Sequence, residues 1–194
     1  TWSAPAGGAL LYSAILRSDG GWALLPLASA LAVCEAAEAL RPGIESALKW
    51  PNDVWLGQRK LAGVLIEARP QDGWAVVGVG LNLSIARDQF PLELRESAIS
   101  LFDPDRDSSP AQSAPTPLAA AAVLSQRLDH FFAASAERIL TGWRERDALL
   151  GREVAWDGGS GVADGVDDRG RLIVIAPRGG RVFLAAGEVH LNRA

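Results

Sequence analysis

ALKWPNDVWLGQRKLAGVLIEA, residues 47–68, joins a short apolar segment stopped by proline, a second apolar run, a GQRK turn and a longer apolar run. Pro51 has no N–H and holds Trp50 extended, so the segment ESALKW reads as a short strand that ends there. VWL and LAGVLIEA on either side of GQRK read as an antiparallel hairpin. The same stretch carries two lysines, an Asn-Asp pair and a glycine inside a strand, a mixture that a hairpin alone does not require.

Upstream, Pro5 to Gly8 forms a loop feeding a strand from about Ala9 to Leu16, and Asp19-Gly20-Gly21 is a turn. From Trp22 to Arg41 the apolar residues recur at helical spacing, with Pro26 in the first turn and Pro42-Gly43 as the stop. Downstream, GWAVVGVGLNLS (Gly73 to Ser84) is another apolar strand, and such unbroken apolar runs suit strands covered on both faces. Asp103 to Pro117 is rich in Pro, Ser and Asp and reads as a mobile surface loop. Leu118 to about Leu150 returns to helical periodicity, as two helices with a break near Gly142. From Gly151 short β-branched runs alternate with Asp-Gly, Gly-Gly and Arg-Gly turns, a β meander or small barrel of about five strands. Such a short unit holds poorly alone and is expected to pack on what precedes it. The fold class is α+β, a mixed but mostly antiparallel sheet with packed helices and then a small β-barrel, with domains at 1–148 and 149–194.

The 194 residues are 48% apolar, with mean hydropathy +0.10, which suffices for a real core. The net charge of −4 argues against broad nucleic-acid binding, which needs a basic face. Pro26, Glu35 and Glu38 interrupt the longest Ala/Leu run and argue against a membrane span, and no signal peptide is visible. The single Cys34 has no partner for an internal disulfide, which points to a reducing, cytoplasmic compartment. His130 and His190 have no Cys or carboxylate at metal-ligand spacing, so no metal ligand is assigned.

The chemistry-bearing candidates cluster in three motifs. In KWPNDV, Asn52 and Asp53 follow a strand's C-terminal end with Lys49 just before them; they form either an ordinary turn or a set of groups converging on a ligand. In RKLAGVLIE, Lys60 either snorkels to water or neutralises an anion. Gly63 in mid-strand suits a close approach to the backbone, and Lys60 with Gly63 suggests a small anionic ligand along this strand. In VGVGLN, a strand with Gly78 and Gly80 that ends in Asn82 reads as a close-approach surface, because no third glycine and no helix follow as the dinucleotide fingerprint demands.

Taken together, KWPNDV, RKLAGVLIE and VGVGLN in this order resemble the catalytic core of biotin protein ligases, and the resemblance covers nearly the whole chain. TWSAPAGG is similar to the segment after that family's Gly/Arg-rich biotin loop, and the last strands resemble its small SH3-like domain. The resemblance implies a two-step ligase: biotin and Mg-ATP give biotinyl-5′-adenylate, which a lysine of a biotin carboxyl carrier domain then attacks. It implies that Lys60 contacts biotin and the reacting phosphate, that Asp53 assists adenylation and takes the proton of the incoming amine, and that Lys49 and Asn52 support the nucleotide side. Gly63 and Leu65 would lie against biotin, and Leu11 falls where an aromatic often lines its pocket, with Tyr12 one place later. Gly80 and Asn82 resemble the adenine side, with Trp2 and Pro5 in the nucleotide wall. The substrates implied are biotin and ATP with Mg2+; no nucleic acid or membrane is expected, and a homodimer is compatible.

The chain contains no methionine and opens abruptly on Thr1-Trp2, from which the expectation is a fragment lacking upstream sequence, the Gly/Arg-rich loop included. The expectation extends to function: that loop shields a hydrolysable adenylate, so these residues alone should be inactive or severely impaired. Three other readings stay open at this stage, a lipoate or octanoate ligase of related fold, the effector-binding core of a biotin-responsive repressor, and a biotin-binding module without catalysis.

Overall fold

The structure, a computed structural model, describes residues 2–17, 20, 22–103 and 113–191. Thr1, the expected turn residues Asp19 and Gly21, and 104–112 of the expected surface loop lie outside the described residues.

The hairpin expected from 47–68 is present and sits inside a larger sheet. Strand β1 (Ala9–Arg17) is followed by a 3-10 turn (Trp22–Leu24) and helix α1 (Leu25–Leu40), then by β2 (Ser46–Lys49), β3 (Asp53–Leu56), β4 (Arg59–Arg69) and β5 (Trp74–Asn82). Their order across the sheet is β1-β5-β4-β3-β2, antiparallel at every step. The hairpin turn is tighter than GQRK: only Gly57 and Gln58 turn, Gly57 at φ +63°, so Arg59 and Lys60 already belong to β4.

Helices α1, α2 (Pro117–Phe132) and α3 (Ala136–Glu145) pack together, α1 and α2 directly on the sheet. Cys34 and its neighbours Ala30, Ala32 and Val33 on α1 are wholly buried. The run from Trp22 to Leu40 is apolar and long enough to cross a membrane by length and composition alone, but here it is the core helix. The break between α2 and α3 falls at Ala133–Ser135, not at Gly142. The Ser135 hydroxyl accepts from the Arg138 N–H at 3.3 Å and caps α3, as Thr116 caps α2 through Ala119 N–H at 3.2 Å. Gly142 instead lies within α3, where an added Cβ would stand 3.3 Å from Leu31 of α1.

A second correction concerns the faces of the sheet. Helices cover one face only, burying Leu10, Val64, Val77, Val79 and Leu81, while Leu11, Ile15 and Leu65 on the other face are exposed. The unbroken apolar runs therefore reflect a core face and an open, apolar second face.

The last five strands, β6 (Glu153–Trp156), β7 (Gly159–Val166), β8 (Leu172–Ile175), β9 (Arg181–Leu184) and β10 (His190–Leu191), form an antiparallel sheet of order β10-β6-β7-β8-β9. It does not stand apart. Val154, Leu172, Val174 and Val189 belong to the same buried cluster as α1 and the first sheet. Backbone bonds from Leu48 N–H to Arg146 O (2.7 Å) and from Ala148 N–H to Leu48 O (2.8 Å) dock the connecting segment on β2. The buried Trp50 indole N–H donates to Gly170 O at 3.0 Å, in the turn between β7 and β8.

Candidate active site

Register across the first sheet aligns residues that are far apart in sequence. Leu11 pairs Gly80, Gly80 pairs Gly63, Gly63 pairs Asp53 and Asp53 pairs Lys49, a single row over five strands. Side chains two apart share a face, so the next row, Ser13–Gly78–Leu65, lies beside it. Both rows face away from α1 and α2 and floor a cleft of about 850 Å³, within the usual range for small-ligand sites. Glycine at three central positions leaves the floor bare in the middle, with Leu11 and Leu65, each 63% exposed, as its apolar margin.

Lys60 belongs to this face only because the β3–β4 ladder is irregular. Ala62 pairs Val54 and Lys60 pairs Trp55, leaving Leu61 without an opposite residue. Strict alternation from Gly63 would have turned Lys60 toward the core with Ala62 and Val64; the bulge turns it into the cleft. Its ammonium lies 2.5 Å from Asp53 Oδ1, and the Lys49 ammonium lies 3.9 Å from Asp53 Oδ2. One carboxylate between two ammonium groups leaves the cluster one positive charge in excess, an arrangement that receives an anion. Lys49 is further held over the Trp55 ring at 5.7 Å, and Lys60 stands 6.0 Å from the Trp2 ring centre.

Trp2 accounts for the glycines. A Cβ on Gly80 would fall 2.5 Å from the Trp2 ring, and one on Gly63 would fall 3.1 Å from the Lys60 Cε and 3.4 Å from Trp2. The close approach expected at these positions is made by the protein's own indole and lysine stem. The Trp2 indole N–H is buried with no partner of its own.

Asn52 lines the cleft, but its amide nitrogen donates to Val64 O, and Val64 N–H returns a bond to Asn52 O at 3.0 Å. It fastens the Pro51–Asn52 turn to β4. Tyr12 points its hydroxyl toward α2, 3.4 Å from the Ser125 hydroxyl, so Leu11 and not Tyr12 presents its side chain to the open face.

The row thus unites Lys49, Asp53, Lys60 and Gly63 with Leu11 and Gly80, and Trp2, Asn52 and Leu65 border them. Two sequence candidates lie elsewhere. Pro5 packs on Gly8, whose N–H it accepts at 3.0 Å, and does not line the cleft. Asn82 also does not line it; the residue is 4% exposed and its amide donates to Ile99 O at 3.1 Å. Gly78, read from the sequence with Gly80 as a close-approach surface, does line the cleft; sequence reading missed Ser13, which period two from Leu11 would have supplied. It also missed Gly187 and Glu188, which reach the cleft from the last sheet and have no local signature.

Among the described residues no group of three or more His, Cys, Asp or Glu side chains is placed to hold a metal ion. Two carboxylates border the cleft, the lysine-bound Asp53 and Glu188.

Residues 1–84 match the model of the biotin/lipoate A/B protein ligase family. The chain is 34% identical to the biotin–[acetyl-CoA-carboxylase] ligase of Mycobacterium tuberculosis, over 98% of this chain and 73% of that one. It is 32% identical to the enzyme of the same name from Paracoccus denitrificans, over 95% and 81%. A solved structure of Aquifex aeolicus biotin protein ligase in complex with biotin and ATP superposes with a TM-score of 0.74, at 27% identity over 96% of this chain and 79% of that one.

Proposed function

Because the chain belongs to the biotin protein ligase family, we propose that it activates biotin with ATP and transfers it to a lysine of a biotin-dependent carboxylase's carrier domain. The observation that carries the reading is the Lys49–Asp53–Lys60 cluster at one end of a glycine-floored row whose other end is apolar. An apolar floor suits the ring and alkyl chain of biotin, and the lysines suit its carboxylate and the phosphates it meets.

In the first step a biotin carboxylate oxygen attacks the α-phosphorus of ATP, the α–β bridging P–O bond breaks, and pyrophosphate leaves. Lys60, 40% exposed in the cleft, neutralises charge as the carboxylate approaches a polyanion. Lys49, held against Trp55, faces the phosphates. In the second step the carrier lysine's amine attacks the acyl carbon, the C–O bond to the phosphate breaks, and AMP leaves. Asp53 takes the proton the amine must lose. Mg2+ accompanies ATP as part of that substrate. Leu11, Leu65, Ser13 and the backbone at Gly78 form the biotin end, Gly63 and Gly80 floor the middle beneath Trp2, where biotin meets the nucleotide, and Asn52 shapes the turn beside the lysines. We assign this work to the cytoplasm, where ATP and newly made carrier domains occur together.

The test is substrate choice. With ATP and a carrier domain, biotin should be incorporated, and lipoate or octanoate should be taken at under about one-hundredth of that rate, a gap of roughly 3 kcal/mol. Preference for lipoate or octanoate would move the chain to the other branch of the family.

A further inference from the structure

Lys49 ends β2, the outer strand of the first sheet, and pairs Asp53 on its inner side. The residues before and after it are both tied to the C-terminal part of the chain. Leu48 is bound on its outer side through both main-chain groups, by Arg146 O at 2.7 Å and Ala148 N–H at 2.8 Å. Trp50, 1% exposed, donates its indole N–H to Gly170 O at 3.0 Å, 120 residues further on. The turn that offers this acceptor is closed on itself. Gly170 N–H donates to Asp167 O and Asp167 N–H to Arg171 O, each at 3.0 Å. The Asp167 carboxylate accepts the N–H groups of Arg169 and Arg171 at 2.9 Å and the Arg171 Nε–H at 2.7 Å. From α3, the Arg144 guanidinium donates to Val166 O and to the Asp168 carboxylate, each at 3.3 Å. Gly170 is buried at φ +75°, and a Cβ there would stand 3.1 Å from Leu24 and 3.3 Å from Leu27, so the turn is seated against the start of α1.

We propose that Trp50 is a positioning residue for Lys49: its indole, held by the 167–171 turn, fixes one side of the main chain from which the Lys49 ammonium enters the cleft, as the 146–148 segment fixes the other. The inference rests on the reading of Lys49 as the lysine that faces the phosphates. Trp50 itself does not line the cleft, so it acts through its neighbour. Without the indole N–H, the buried Gly170 carbonyl is left unsatisfied and the end of β2 keeps only the Leu48 tether.

The experiment measures biotin-dependent ATP–pyrophosphate exchange in the full chain on wild type, Trp50→Phe, Lys49→Met and the double variant, with Asp167→Asn and Leu128→Val as variants away from the cleft. Trp50→Phe keeps an aromatic ring in the core and removes the donor. It should lower kcat/KM for ATP by about tenfold while KM for biotin, bound at the other end of the row, stays within about twofold. Lys49→Met should lower kcat/KM for ATP further. Adding Trp50→Phe to Lys49→Met should then change it by less than about twofold, because no ammonium is left to position. Asp167→Asn loosens the turn from behind; it should reproduce Trp50→Phe in weaker form, and decides the matter if Trp50→Phe does not fold. Leu128→Val, a buried change on α2, should lower Tm with kcat/KM for ATP as in wild type. A further loss of about tenfold in the double variant would overturn the proposal, because Trp50 would then act independently of Lys49; so would an equal loss in Leu128→Val. Wild-type kcat/KM for ATP in Lys49→Met would overturn the assignment of Lys49 and the proposal with it, whereas absence of exchange in wild type would count against the ligase reading itself.

Discussion

At the scale of the residue, the site depends on which groups a few backbone irregularities bring together. Lys60 serves the cleft only through the bulge at Leu61, and Asp53 is its partner at 2.5 Å. Lys60→Met keeps the stem that covers Gly63 and removes the charge, so pyrophosphate exchange should fall by about 100-fold or more with little change in Tm. Gly80→Ala tests the floor differently. Its methyl would fall 2.5 Å from the Trp2 ring, so the indole must leave; the expected result is a red-shifted Trp emission and a raised KM for ATP. Cys34 lies outside the chemistry. Burial pushes its thiol up to about 12, against a lowering hydrogen bond with Ser46, so it should resist a thiol reagent at pH 8 in the native protein and react once unfolded. Of these residues, the sequence motifs disclosed the lysines, Asp53 and the glycines, because each departs from what its strand or turn would otherwise hold. What lay above Gly63 and Gly80 was not legible: the indole that fills the space is Trp2, about sixty to eighty positions earlier in the chain and outside any strand.

At the scale of the element, existence was easier to read than boundaries and faces. The break between α2 and α3 was assigned to Gly142, the residue of weakest helix propensity, but Ser135 offers a cap and Gly142 offers α3 a close approach to α1. The two exposed apolar rows were assigned to a covered face because a strand that floors an apolar cleft has the same composition as one buried in a core. In the turn between β7 and β8, burial alone would raise the Asp167 carboxyl. The Arg171 guanidinium and the N–H groups of Arg171 and Arg169 outweigh it and hold the carboxyl below its usual range. A carboxyl lowered on folding contributes stability that is present above its unfolded value near 4 and is lost as pH falls through the folded value. Asp167→Asn should therefore lower Tm at pH 7, and the gap from wild type should close as the pH is taken below about 4; a gap independent of pH would refute the assignment.

At the scale of the whole molecule, the two sheets act as one body. They share a buried cluster, the connecting segment pairs with β2 at Leu48, and Trp50 crosses from the KWPND turn to Gly170. Lys49 lies between those two tethers, so the last sheet braces the site as well as lending it Glu188. Calorimetry should show one transition with equal van't Hoff and calorimetric enthalpies, and Trp50→Phe should cost about 1 kcal/mol by removing one buried hydrogen bond. The central claim, that this cleft makes biotinyl-adenylate through Lys60, is tested most directly by biotin-dependent exchange of labelled pyrophosphate into ATP, measured on the full chain and on its Lys60→Met variant. The account predicts exchange that requires biotin and falls by about 100-fold in the variant; exchange that survives the substitution undiminished would contradict it.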